Sequence, residues 1–363
     1  MKLRQLLLLL ALLPLCMLGQ RTHISPSDAG FAYEGRISFA NPDAPRWHYP
    51  GVQIRCTFTG TSVRLLTKPG SGFFICQIDD AAPFKVESTT DNEGEITLAT
   101  GLPAALHSLC ITYAIEGLTK HPAFYGLSLD AGCQLGERPQ LPARKMEFIG
   151  NSITCGFGIE GDGTEKKFSY SQQNITLTYE ALTAQAFDAR WQVVARSGIG
   201  LYRNCNGKRG GDYPTMRDYY DYTLFATSGE RWDFNRYQPD VVCVNLGTND
   251  TTNPGYDAEL LKREYIKFVK TLRSHYPQAA IVLLTGTMIR GQRLSDVQAA
   301  QQAAVEAAHQ RGDKAVYRFD FTPEDGSLGY GTMKHPSRAR HQRMAEELIP
   351  FISQLTGWET IKK

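Results

Sequence analysis

The chain has 363 residues, enough for two domains that each bury a core, and carries 39 Lys and Arg against 37 Asp and Glu, a formal charge of +2. So even a balance provides neither a basic surface for a nucleic acid nor a polybasic segment for an anionic membrane, so neither partner is expected. There is no CxxC pair and no HExxH, so no metal or other cofactor is expected either.

Lys2 and Arg4 precede the leucine-rich run from Leu6 to Leu13, which is too short to span a membrane, and the small residue Gly19 follows. This is the pattern of a secretory signal peptide over residues 1–19, and it predicts an exported protein, periplasmic or secreted. Cys16 offers lipid anchoring as an alternative, but Leu15 stands before it where a small residue would be required. The cysteines that follow are Cys56, Cys76, Cys110, Cys133, Cys155, Cys205 and Cys243. Their number is odd, and four of them lie in apolar strand-like runs where a free thiol acts as a small hydrophobe, so no disulfide scaffold is expected.

Residues 31–130 read as short alternating strands separated by turns. Val52, Ile54, Cys56 and Phe58 alternate with Gln53, Arg55 and Thr57, and further runs occur at Phe73 to Ile78, Glu95 to Ala99, Leu109 to Ile115 and Phe124 to Leu129. Without any sustained helical period, this predicts a β-sandwich of jelly-roll type. Trp47, Tyr49 and Phe74 could present aromatic faces to a sugar, although lone aromatics at strand spacing more often belong to a core. The expected role of the domain is a collar beside a catalytic cleft.

Residues 131–144, with Pro139 and Pro142, form a linker laid across the first domain. From residue 145 to 363 the pattern changes to α/β. Apolar runs at Met146 to Ile149, Trp191 to Ala195, Val241 to Leu246, Ile281 to Thr285 and Ala315 to Phe319 alternate with helical segments. In one of these, Leu261, Tyr265, Phe268 and Leu272 share a face. The alternation predicts a parallel sheet between helical layers, a three-layer α/β/α domain. Ser337 is placed to cap the last helix.

The first strand of this domain ends in Gly150-Asn151-Ser152, at the edge of the sheet where ligands bind in open α/β folds. A serine there is a candidate nucleophile, provided a base takes its proton. Two further polar turns accompany it: Gly247-Thr248-Asn249-Asp250 after the strand beginning at Val241, and Lys334-His335-Pro336-Ser337 before the last helix.

Gly150-Asn151-Ser152, Ser197-Gly198-Ile199-Gly200, Gly247-Thr248-Asn249-Asp250 and His335-Pro336, in that order, resemble the four blocks of the SGNH (GDSL-type) hydrolases. Within that superfamily the chain is similar to carbohydrate esterase family 2, acetyl xylan esterases with an N-terminal jelly roll. Tyr49-Pro50-Gly51, Phe58 to Thr61 and His107 to Glu116 resemble the first domain. The resemblance implies an ester hydrolase with Ser152 as nucleophile, His335 as base, and an oxyanion hole from the N–H of Ser152, the N–H of Gly200 and the amide of Asn249. Gly198 is the rival to Gly200. Asp250 is expected to order its turn, not to act. Asn249-Asp250-Thr251 is formally a glycosylation sequon, but a glycan there would block the cleft.

The chain departs from the superfamily pattern before the histidine. The usual aspartate position holds Met333 or Thr332, and the nearest upstream carboxylate is Asp325. Either a backbone carbonyl orients His335, giving a dyad, or a remote acid such as Asp325 or Asp320 does so; the dyad is the expectation. The implied substrate is an acetylated plant polysaccharide or oligosaccharide such as xylan or glucomannan. Tyr202, Trp232 and Tyr330, which flank the blocks, are the candidate sugar-stacking residues. The alternatives are another SGNH esterase, acting on sialate or lipid-like esters, and a non-catalytic glycan-binding protein.

Overall fold

The computed structural model describes residues 21–361; the expected signal peptide at residues 1–19, and Cys16 with it, lies outside the described residues. The first domain has nine strands: β1 (Thr22–Ile24), β2 (Ala32–Glu34), β3 (Gln53–Gly60), β4 (Val63–Thr67), β5 (Gly72–Ile78), β6 (Phe84–Ser88), β7 (Glu95–Ala99), β8 (Ala105–Tyr113) and β9 (Phe124–Leu129). They form two antiparallel sheets, ordered β1-β9-β4-β7 and β2-β3-β8-β5-β6. The alternation seen in the sequence is the inward face: Ile54, Cys56 and Phe58 of β3 are buried while Arg55 and Thr57 are partly exposed. They meet Leu65, Ile111, Tyr113 and Leu127 in a single core. Trp47, Tyr49 and Phe74 are at most 1% exposed, so none of them offers a face to a sugar.

β1 lies upstream of the 31–130 span and pairs with β9, Thr22 opposite Leu129. Residues 131–144 run across the sandwich: Thr59 N–H donates to Gln134 O (3.0 Å), Gly136 N–H to Thr57 O (2.9 Å), and Leu135 packs into its core.

The second domain contains β10 (Lys145–Gly150), β11 (Arg190–Ala195), β12 (Val241–Asn245), β13 (Ala280–Thr285) and β14 (Val316–Asp320), all parallel, in the order β11-β10-β12-β13-β14. Its helices are α1 (Ser152–Cys155), α2 (Tyr179–Ala186), α3 (Met216–Tyr219), α4 (Ala258–His275), α5 (Gly291–Gln310) and α6 (Arg338–Thr356). One face of the sheet packs on Leu261, Tyr265, Phe268 and Leu272 of α4 with Val297 and Ala304 of α5. The other packs on Ala181 and Ala184 of α2 with Met344, Leu348 and Ile352 of α6. Covered on both sides, β12 is buried at all five positions, which explains its unbroken apolar run. Ser337 caps α6 by accepting from Arg340 N–H at 3.1 Å.

The strand order places a topological switch point at β10. The chain leaves β10 for β11 on one side, then returns to add β12 on the other, so the loops after β10 and β12 diverge around a crevice at the carboxyl edge. The polar turns at Ser152 and Asn249 emerge there.

The two domains are joined by a buried cation. Arg36 of the sandwich is 0% exposed and lies 3.7 Å from Glu147 of β10, itself 0% exposed. Its guanidinium sits over the Tyr220 ring at 4.6 Å and near Trp232 at 5.4 Å. Glu147 also accepts from Tyr220 Oη at 2.5 Å and Tyr276 Oη at 2.9 Å. Both charges are therefore out of water and depend on each other.

Candidate active site

Gly150 ends β10, and a Cβ there would meet Thr154 Oγ1 at 2.1 Å, so only glycine lets the chain turn directly into α1. Asn151 caps that turn: its Oδ1 accepts from Ile153 N–H at 3.0 Å and its Nδ2 donates to Asn245 O at 3.2 Å. Ser152 is thereby fixed as the first helical residue, where N–H groups lack intrahelical partners. It is 8% exposed, and its Oγ lies 3.0 Å from His335 Nε2.

His335 is held by the loop before α6. Gly331 N–H donates to His335 O at 2.8 Å, and Thr332 N–H to Gly158 O at 2.9 Å. Met333 and Lys334 both take left-handed conformations, φ 53° and 59°, which is strained for side-chain-bearing residues. The Phe157 ring packs on the imidazole with centroids 4.3 Å apart. Burial lowers the His335 pKa to about 4, while the carbonyls of Thr332 and Met333 act in the opposite direction. Nδ1 is closed off from solvent and, among the described residues, has no hydrogen-bond partner.

Neither remote aspartate approaches this ring. Asp325 is exposed and accepts from Ser327 N–H and Oγ at 2.9 and 2.6 Å. Asp320 pairs with Arg318 at 3.1 Å and accepts from Thr285 Oγ1 at 2.6 Å.

Asn249 is 6% exposed, and its Nδ2 donates to Ile199 O at 2.7 Å, which orients the amide. Asp250 orders the turn. Its carboxylate accepts from the N–H groups of Leu201 (2.9 Å), Tyr202 (2.8 Å), Arg203 (3.2 Å) and Gly247 (3.1 Å). Burial raises its pKa, and the N–H groups of Tyr202, Leu201 and Arg203 oppose the rise. Asp250 therefore ties the asparagine turn to the backbone of Leu201, Tyr202 and Arg203.

Gly200 is the more enclosed of the two rival glycines. It is buried, its N–H donates to Asn204 Oδ1 at 3.3 Å, and a Cβ on it would meet Arg203 O at 1.8 Å and the Asp250 carboxylate at 2.7 Å. Gly198 is partly exposed with φ +78°, and a Cβ there would meet nothing nearer than Cys205 Cβ at 4.0 Å. The SGIG spacing alone could not separate the two.

The sugar-stacking candidates fare unevenly. Tyr202 is 0% exposed, and its hydroxyl accepts from Asp257 N–H at 2.8 Å, so it belongs to the core. Trp232 is 4% exposed and packs at the domain junction beside Arg36. Both are corrected: a ring without a free face cannot stack on a sugar. Tyr330 is half-buried, bridged to Pro336 beside the histidine loop. One contact went unread in the sequence altogether. Glu116 of the sandwich accepts from Ser197 N–H at 2.5 Å and Ser197 Oγ at 2.6 Å across a separation of 81 residues.

Residues 33–139 match the carbohydrate esterase 2 N-terminal family, and residues 148–343 match the GDSL-like lipase/acylhydrolase family. The cellulase/esterase CelE of Acetivibrio thermocellus is 36% identical over 332 residues, covering 91% of this chain; the chain spans 40% of that relative's length. An acetylxylan esterase / glucomannan deacetylase of Cellvibrio japonicus is 30% identical, covering 93% of this chain and 92% of its own length. The structure of a family two carbohydrate esterase from Clostridium thermocellum in complex with cellohexaose superposes with a TM-score of 0.83 at 35% identity, covering 91% of this chain and all of that one. An antiparallel sandwich followed by a parallel α/β sheet, with both halves matched, shows that the chain belongs to carbohydrate esterase family 2, its second domain being a GDSL-type acylhydrolase.

Proposed function

We propose that the protein removes acetyl groups from an acetylated β-linked plant polysaccharide or oligosaccharide, with Ser152 as nucleophile and His335 as base. The observation that carries this reading is the 3.0 Å contact between Ser152 Oγ and His335 Nε2 at the switch-point crevice. His335 takes the serine proton as Oγ attacks the ester carbonyl, then returns it to the leaving sugar oxygen; water repeats the sequence on the acetyl-serine. The negative charge that develops on the carbonyl oxygen is met by the N–H of Ser152, a glycine N–H of the Ser197–Gly200 turn and the second N–H of the Asn249 amide. The substrate class is supported by what the relatives are named for, acetylated xylan and glucomannan, and by the cellohexaose held by the structural neighbour. Export through the signal segment at residues 1–19 would bring the protein to such a substrate.

The test is acetate release from acetylated xylan, acetylated glucomannan and O-acetylated sialic acid. Release from the first two is expected; release from sialic acid alone would replace this reading with a sialate esterase, and release from none of them with a glycan-binding protein.

The base is a dyad histidine with no carboxylate on the ring: among the described residues its Nδ1 makes no hydrogen bond, and the carbonyls of Thr332 and Met333 are the acceptors that favour its protonated form. Asp325→Asn and Asp320→Asn are each expected to leave kcat within a small factor of wild type, in contrast to the about 10⁴-fold loss when a triad aspartate is neutralised. Steady-state kinetics of the two variants decides this, and a large loss in either would identify that aspartate as a third member.

Because His335 must be neutral to accept a proton, and its pKa is lowered to about 4, it remains competent in mild acid where an ordinary histidine is already protonated. The expected kcat/KM rises with pH through about 4 and is level by pH 6. A midpoint near the ordinary histidine value would show that the ring is better solvated, or better paired, than this site implies.

A further inference from the structure

Glu116 follows the last residues of β8, yet its carboxylate is committed to the other domain. It is 7% exposed, and each oxygen takes a separate donor from Ser197, the backbone N–H at 2.5 Å and the hydroxyl at 2.6 Å. Burial raises its pKa, and the Ser197 donors, the Cys155 thiol and the Arg196 guanidinium counter that rise. A second link runs through Gln173. Its Oε1 accepts from Glu116 N–H at 3.5 Å, and its Nε2 donates to Cys155 O at 2.8 Å. Cys155 closes the same helical turn that Ser152 begins.

A buried carboxylate is a poor way to glue two domains, because an apolar contact of the same size avoids its desolvation. It is a good way to aim a loop, because two charge-assisted hydrogen bonds fix both position and orientation. The residue so fixed precedes Gly198, which has nothing of its own to hold it: it has no side chain, a left-handed φ, and open space where a Cβ would be. Its other restraint is the acceptance by its carbonyl of Cys205 N–H at 2.8 Å.

We infer that Glu116 is a positioning residue for the oxyanion hole: by gripping Ser197 it sets the Ser197–Gly200 turn, whose glycine N–H meets the oxygen that becomes negative on attack by Ser152. The sandwich then completes the active site and is not only a collar around it. This rests on the proposed roles of Ser152 and of that turn. A donor displaced by a fraction of an ångström still permits substrate binding but loses the transition state, so the loss falls on kcat.

The test compares Glu116→Ala and Glu116→Gln with the wild-type full chain, measuring kcat, KM and inhibition by a small alkylboronic acid. The boron accepts the Ser152 oxygen as its proton passes to His335, and the tetrahedral adduct places an oxygen in the hole. Glu116→Ala is expected to lower kcat roughly 10- to 100-fold, somewhat less than outright loss of an oxyanion donor, with KM nearly unchanged and boronate affinity weakened in proportion to kcat. Glu116→Gln should recover most of the activity, since its carbonyl accepts from Ser197 N–H and its amide donates to Ser197 Oγ. Unchanged kcat in Glu116→Ala, a loss confined to KM, or a glutamine variant as poor as alanine would each overturn the inference. If Glu116→Ala does not fold, Ser197→Ala carries the test: it removes one of the two contacts and should lower kcat at constant KM, and an unchanged kcat would overturn the inference. Ser152→Ala run alongside separates the two failures, because turnover surviving in that variant contradicts the nucleophile assignment, not the role of Glu116.

Discussion

Ser152→Ala is expected to remove all turnover above background, and His335→Ala nearly all of it, a loss of at least about 10⁴-fold in kcat for each. The reason is geometric. The hydroxyl is a weak nucleophile at its own pKa, and His335 Nε2 at 3.0 Å is the base placed to take its proton. The pair acts as a unit, so the double variant should be no worse than either single one. Both residues sit beside cores that their side chains do not build, so melting temperatures should move little. A Ser152→Ala protein that keeps its fold and still releases acetate would end the serine mechanism.

Arg36→Ala should be the most damaging single substitution for stability among those discussed. It leaves Glu147 buried on β10 without its cation, and breaking a buried pair from one side costs about 3–5 kcal/mol. At roughly 2–4 °C per kcal/mol for a domain of this size, the melting midpoint should fall by about 10 °C. Arg36 Nη1 donates to the carbonyls of Tyr220 and Tyr222, while Nε and Nη2 have no hydrogen-bond partner among the described residues and lie among aromatic faces, so the guanidinium is held by these hydrogen bonds as well as by its charge and its flat shape. Arg36→Lys should therefore recover only part of the loss. Arg36→Met combined with Glu147→Gln removes both charges and should be more stable than the sum of its single variants implies. Thermal unfolding of the wild type, Arg36→Ala, Arg36→Lys, the double variant and its two single variants checks this; a midpoint unchanged in Arg36→Ala would show that Glu147 needs no cation.

Much of the candidate site could be read from the sequence because its residues sit where local pattern changes. Ser152 and Asn249 each end an apolar run that could only be a buried strand, and the strands are observed at Lys145–Gly150 and Val241–Asn245. His335 precedes a serine that caps a helix. Other features depend on contacts distant in the chain and leave no local trace. Tyr202 flanks a block just as an exposed sugar platform would, and only its bond to Asp257, 55 residues away, reveals a core residue. Arg36 reads as a surface arginine until Glu147 is placed beside it, and Glu116 as a strand-end carboxylate until Ser197 arrives. The three-residue strands Thr22–Ile24 and Ala32–Glu34 are too short for a period of two to show. Gly198 and Gly200 differ in what surrounds them, not in sequence.

The central claim is that Ser152 is a nucleophile made reactive by His335. Its most direct test is labelling with a phosphonofluoridate, in which an activated serine oxygen displaces fluoride and forms a bond to phosphorus that survives digestion and mass analysis. The account predicts one adduct per chain, on the peptide containing Ser152, accumulating in step with the loss of esterase activity and nearly absent in His335→Ala. Complete inactivation with Ser152 unmodified, or an adduct formed as fast in His335→Ala as in the wild type, would contradict it.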